Sequence, residues 1–99
     1  MTIKVGEVYT LKLTSGEEVV ARVNAIEDQY LLLHDPVSVA PGPQGLGLMQ
    51  SLFTANPKDP ARLNINSVTI FALTDESVKA KYIEATTGLV VPDKKIIMG

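Results

Sequence analysis

The stretch LKLTSGEEVVARVNAIEDQYLLLHDPVSV, Leu11–Val39, decides the fold. At its start, Tyr9, Leu11 and Leu13 alternate with Thr10, Lys12 and Thr14, the pattern of a strand with one face in a core and one in water. Thr14-Ser15-Gly16 supplies the turn, because glycine takes the positive φ of a short hairpin without steric cost. A second strand follows, with Val19, Ala21 and Val23 on one face and Glu18, Val20, Arg22 and Asn24 on the other. Glu27-Asp28-Gln29 breaks the pattern, and Tyr30-Leu31-Leu32-Leu33 opens a third strand that is apolar on both faces. Such a strand has to be covered on both sides. Pro36 cannot donate to a ladder, so this strand's far end is predicted to lie at an edge or a bulge.

Working outward, Met1–Val8 is a short lead-in bent at Gly6. The runs APGPQGLG and ANPKDPAR are turn chemistry, and no Lys-Ser/Thr follows the first to make it a phosphate cradle. A connection of more than about 20 structureless residues is unusual inside a small domain, so Leu46–Thr54 is predicted as a fourth strand and 55–62 as a loop. Leu63–Leu73 is predicted as a fifth strand. Its apolar parity shifts from Leu63 and Ile65 to Val68 and Ile70, which places a bulge at Asn66-Ser67. A helix over about 75–87 is predicted from the Thr74-Asp75 cap, Glu76 in the first turn and the stripe Val78, Tyr82, Ala85, Leu89. Gly88 suits its C-terminal cap, Pro92 prevents a restart, and 93–99 reads as a tail. The fold class that follows is mainly β: a small, strongly bent five-stranded barrel with one C-terminal helix, in a single domain over 1–99.

Composition narrows the function. The chain has no cysteine, which removes disulfides, thiolate metal sites and cysteine nucleophiles and is compatible with a reducing compartment. No run of about 18 apolar residues is present, and the N-terminus has too little apolar length for a signal peptide. Net charge is −2 and the basic residues are scattered, Lys79/Lys81 and Lys94-Lys95 being the closest groupings. A basic surface that tracks phosphates is not signalled, although a small pocket that reads an unpaired base stays open.

Reactive side chains do not assemble into a catalytic set. His34 and Asp35 are neighbours on a strand and point to opposite faces, so they do not form a base–orienter pair. No G-x-S-x-G elbow exists. Glu27, Asp28 and Asp35 read as solvated turn residues rather than a metal site, and Tyr30 and Phe53 as core rather than stacking platforms. For Asn64 and Asn66 the bulge is favoured over ligand contact. No catalytic residue, metal or cofactor is expected, and the chain does not read as an enzyme.

From Leu13 to Val39 the chain resembles, without a gap, the first motif of the Sm-like (LSm) family. Gly16 stands at that family's turn glycine, Val19 at its apolar position, and Ala21 where it usually has a glycine at the strand's bend. Val23 and Ile26 take the next core positions, Glu27-Asp28-Gln29 the acidic loop, and Tyr30 an apolar position. The chain as a whole looks like Sm-like proteins of cyanophage origin, which implies the host cytoplasm as its location. The resemblance implies an SH3-type barrel that forms closed homo-oligomeric rings, of about five to seven subunits, by pairing the fourth strand of one subunit with the fifth of the next. Leu48, Leu52, Phe53, Val68, Ile70 and Phe71 are the implied subunit interface. A second copy would then cover Leu31–Leu33 and Val68–Phe71, and no edge would stay exposed.

The departures are informative. The family's base-reading asparagine aligns with Leu31, its base-stacking loop position with Gln29, and its Arg-Gly with Asn64-Ile65. The usual uridine-pocket chemistry is thereby altered. The family's helix precedes the first strand, whereas here it follows the last. Two readings result. The chain is a ring that contacts single-stranded RNA through Gln29, Tyr30, Asn64, Asn66 and Ser67 around a central pore, or a structural ring that binds no nucleic acid and docks an unidentified protein partner through its helix.

Overall fold

The alternation described above becomes a three-strand meander: β1 (Val8–Leu13), β2 (Glu18–Glu27) and β3 (Tyr30–Gly42). This architecture comes from a computed structural model that describes residues 2–87. Gly16 takes φ +93° in the first turn, where its N–H donates to Leu13 O at 2.9 Å. β3 runs three residues past Val39, because the Pro43-Gln44 turn lets it pair directly with β4 (Gly45–Gln50) from Gly42↔Gly45 to Val37↔Gln50.

Pro36 is accommodated by a bulge. Arg22 pairs with His34 but Val20 with Val37, so β3 holds one more residue than β2 across this step, and Asp35 takes φ +50°. A second bulge, at Asn24 in β2, lies between the pairs Val23↔Leu33 and Ala25↔Leu32. Between them the bulges bend the central strands.

The strands beyond β4 differ from expectation. The fourth strand stops at Gln50 rather than Thr54, and the fifth divides into β5 (Ala61–Asn64) and β6 (Val68–Leu73), giving six strands rather than five. A 3₁₀ turn over Ile65–Ser67 replaces the bulge at Asn66-Ser67 because Asn64 caps it: its Oδ1 accepts from Asn66 N at 2.9 Å. The ladder irregularity falls instead at Thr69, between the pairs Leu13↔Val68 and Lys12↔Ile70. The strand order is β4-β3-β2-β1-β6, with β5 on the first half of β3. The sheet is antiparallel and does not close: β4 and β5, on successive halves of β3, lie at one end and β6 at the other.

Both faces of this sheet carry a core. The inner cluster holds Ile3, Tyr9, Leu11, Val19, Ala21, Val23, Leu31 and Leu33. Leu13, Leu63, Ile65, Val68 and Phe71 pack around it. Burial of each large aliphatic there contributes about 1.5–3 kcal/mol. The outer cluster is Val8, Val20, Val37 and Tyr82, flanked by Val39, Leu48, Val78 and Ile83. Its lid is the helix α1 (Glu76–Thr87), started by Asp75, whose Oδ2 accepts from the N–H groups of Ser77 and Val78 at 3.0 and 3.3 Å. Val20, read with the polar face of its strand, is therefore buried beneath the chain's own helix. Leu31, Leu32 and Leu33 are likewise all buried within one copy, so covering them requires no neighbour. The expected Gly88 cap, Leu89, Pro92 and the tail 93–99 lie outside the described residues.

Candidate functional site

The β2–β3 turn and the 3₁₀ turn meet at one end of the sheet. Glu27 pairs with Tyr30 across Asp28-Gln29, and Asp28 takes φ +50° to reverse the chain in two residues. Tyr30 also pairs with Asn64 of β5, and the N–H of Ile65 donates to Gln29 O at 2.8 Å. Ser67 O accepts from Thr14 N at 2.8 Å, which fixes the turn's far end against the β1–β2 hairpin. Backbone bonds thus bring Gln29, Tyr30, Asn64, Asn66 and Ser67 together. The two turns they belong to are separated by more than thirty positions in sequence.

Gln29 and Asn66 are exposed, while Asn64 and Ser67 are half-buried. Tyr30 is 42% exposed and Phe53, on the loop after β4, 72% exposed. Neither is the core residue expected from sequence. The burial of Leu11, Val23 and Leu31 already fills the interior, and Tyr30 lies at the strand's end, past the inner cluster. Beside the turn, Arg62 Nη2 lies 3.7 Å from Glu27 Oε1, both side chains more than half exposed. With Glu27 and Asp28 acidic and Arg62 paired, this end carries a flat aromatic and amides but no surplus positive charge. It can stack on a base and hydrogen-bond its edge; it does not attract phosphate.

The residues that the resemblance implies at a subunit interface divide into two groups. Leu48 packs under α1, and Val68 and Phe71 pack on the inner cluster, where Phe71 meets Tyr9 edge-on with ring centroids 6.3 Å apart. Leu52, Phe53 and Ile70 are exposed. Sequence reasoning missed Leu46 and Met49 on β4 and Leu73 on β6, which are exposed as well. Their signal was present in the apolar runs, but nothing local shows that a strand ends a sheet.

His34 Nδ1 is hydrogen-bonded to the Asn24 amide, and its backbone oxygen accepts from the Tyr82 hydroxyl at 2.7 Å. The bulge at Asp35 breaks the alternation assumed for this pair, without making a base–orienter contact between them. Glu27 and Asp28 belong to the β2–β3 turn and Asp35 to the bulge. Among the described residues no group of three or more His, Asp and Glu could hold a metal. On the inner side of β3, Ser38 Oγ donates to Glu17 and shares a 2.9 Å hydrogen bond with Ser51 Oγ, and among the described residues no histidine or lysine is hydrogen-bonded to either serine.

Away from this end, a groove of about 390 Å³ opens beside the last turn of α1. Its lining includes Asp35, Val37, Leu48, Leu52, Asp59 and Ala85. Among the described residues no helix is long and apolar enough to cross a membrane. The chain matches no family model and no curated protein.

Proposed function

We propose that this chain is the subunit of a closed ring of the Sm-like type. In it the β4 edge of one copy pairs with the β6 edge of the next, and the Gln29–Tyr30 and Asn64–Ser67 turns offer unpaired RNA a neutral stacking surface. One observation carries the reading: β4 and β6, six residues each, lie at opposite ends of the sheet, with Leu46 and Met49 exposed on one and Ile70 and Leu73 on the other. An open apolar edge is a template for pairing with another chain. Because the two edges are distinct, copies join head to tail, and such contacts form rings when the rotation closes. The residue-by-residue resemblance over Leu13–Val39 supports the same assembly and supplies the expected count of about five to seven subunits. On this reading the ring is a binding module of the cytoplasm rather than an enzyme.

Particle mass in solution tests the ring. Light scattering on the eluting peak should give a multiple of the 10.7 kDa subunit, and a monomer at high concentration overturns the proposal. Titration of labelled poly-U and poly-A at two salt concentrations tests the RNA surface. With so few cations at the turns, binding should be weak and only mildly salt-dependent.

A ring without RNA, acting on a protein partner, is favoured by one specific feature: the guanidinium nearest the turns, Arg62, is held by Glu27. Absence of binding at low salt decides for that reading.

A further inference from the structure

We propose that a short linear aliphatic primary amine, free in solution, binds in the slot where the sheet breaks between β4 and β5. Along β3, pairing with β5 ends at Leu33↔Ala61 and pairing with β4 begins at Val37↔Gln50. The break between them opens a cavity of about 190 Å³ onto the inner cluster. Leu13, Val19, Leu33 and Leu63 give it aliphatic walls, and Val19 and Leu33 are buried members of that cluster, so the slot reaches the core. At roughly 30 Å³ per water it has room for about six water-sized groups, a chain of about four to six carbons with its nitrogen.

The polar end of the slot consists of acceptors. Glu17 and Ser51 line it and are joined through Ser38. Ser38 Oγ donates its one proton to Glu17 Oε2, so in the 2.9 Å bond between the two serines Ser51 is the donor. Both hydroxyl protons are thereby engaged, and Glu17 Oε1 and Ser51 Oγ still have lone pairs to offer. An ammonium, with three donors and a positive charge, satisfies both atoms; an alcohol's one proton serves one of them, and a carboxylate serves neither. Among the described residues the ion pairs are Arg62–Glu27 and Lys79–Glu7, so no cation there neutralises Glu17. Arg62 also borders the slot, but its guanidinium lies at Glu27, at the other end of β2 from Glu17. Aliphatic burial supplies the attraction, and the acceptors select the ammonium. The slot lies within one copy, and its chemistry is independent of whether copies form a ring or meet RNA.

Methyl-region NMR titrations of the full chain test this with n-hexylammonium, 1-hexanol and hexanoate, probes of one chain length and different heads. n-Hexylammonium should move the methyl signals of Leu13, Val19 and Leu33 saturably and bind about tenfold more tightly than 1-hexanol, while hexanoate leaves them in place. Each methylene removed on the way to n-butylammonium should weaken binding by about two- to fourfold. Glu17→Gln, at an exposed position, should erase the preference for the amine while 1-hexanol binds as before. The proposal is overturned if n-hexylammonium leaves these methyl signals in place, if it binds no better than 1-hexanol, or if Glu17→Gln keeps the preference. Tighter binding of Nα-acetyl-lysine methylamide than of n-butylammonium also overturns it, since the slot would then take a lysine side chain of a protein partner.

Discussion

The hydroxyl of Tyr82, on α1, donates to the backbone oxygen of His34 at 2.7 Å, tying the helix to the strand that bends beneath it. The Tyr82 hydroxyl oxygen in turn accepts from the Arg22 N–H at 3.1 Å, so one side chain bridges β2 and β3 beside the Asp35 bulge. There the strands part to fit an extra residue and their ladder is interrupted; the phenol takes up the backbone groups left over.

Tyr82→Phe keeps the ring in the outer cluster and removes the bridge. The Arg22 N–H then loses its acceptor, and stability should fall by about 1–3 kcal/mol, the cost of an unsatisfied buried donor. Tyr82→Ala should cost more, about 3–5 kcal/mol, because it also leaves a cavity. Urea unfolding followed by circular dichroism distinguishes the two. Equal stability of Tyr82→Phe and the parent would mean that the bridge contributes nothing.

Burial pushes the Tyr82 phenol up to about 12. The folded state therefore favours the protonated form. Its stabilisation is complete below pH about 10, where the unfolded tyrosine titrates, and is lost as pH rises toward 12. Unfolding midpoints should drop across that window, and by less in Tyr82→Phe. Parallel curves for the two proteins would refute the assignment.

Asp75 titrates in the other direction. The hydrogen bond from the Ser77 side chain, then those from the Val78 and Ser77 backbone, hold its carboxyl below the ordinary 3.8. This contribution is present above pH about 4 and lost as pH falls through the lower folded value. Asp75→Ala should lower the melting temperature at neutral pH and flatten its acid dependence; Asp75→Ser should retain most of the neutral-pH stability, because serine also caps. Thermal melts at pH 7 and pH 3 check both expectations.

A charge on either open edge should dissociate the proposed ring. Met49→Lys on β4 and Ile70→Lys on β6 are exposed positions, so the subunit's own fold should persist while particle mass falls to 10.7 kDa. If both variants keep the parental mass, these edges are not the contact.

For the proposed RNA surface, Tyr30→Ala should weaken binding by about 1–3 kcal/mol, the value of one stacked base, with mass unchanged. Asn66→Ala is the cleaner amide test, since Asn64 also caps the 3₁₀ turn and its loss would disturb the turn itself. Fluorescence anisotropy with labelled poly-U measures both. Unchanged affinity in both variants would remove these turns from the account.

The sequence by itself determined whatever a few neighbouring residues control. The β1–β2–β3 meander follows from strand alternation and from a glycine free to turn at position 16; the disturbance at Pro36 follows from a missing N–H; the start of α1 follows from a carboxylate placed to accept the helix's first amides. Tertiary structure alone decided the rest. Whether Val20 is wet or buried depends on where α1 lands, sixty residues later, and no local pattern encodes that contact. The division of the fifth strand at Asn64 depends on β5 and β6 pairing with different partners, β3 and β1. The meeting of Tyr30 with Asn64–Ser67 comes from the pairing of β5 with β3, and the exposure of Met49 and Ile70 from the placing of β4 and β6 at opposite ends of the sheet. Side-chain period tells a strand which face is apolar, but not which elements will cover that face or whether a partner strand lies beyond it.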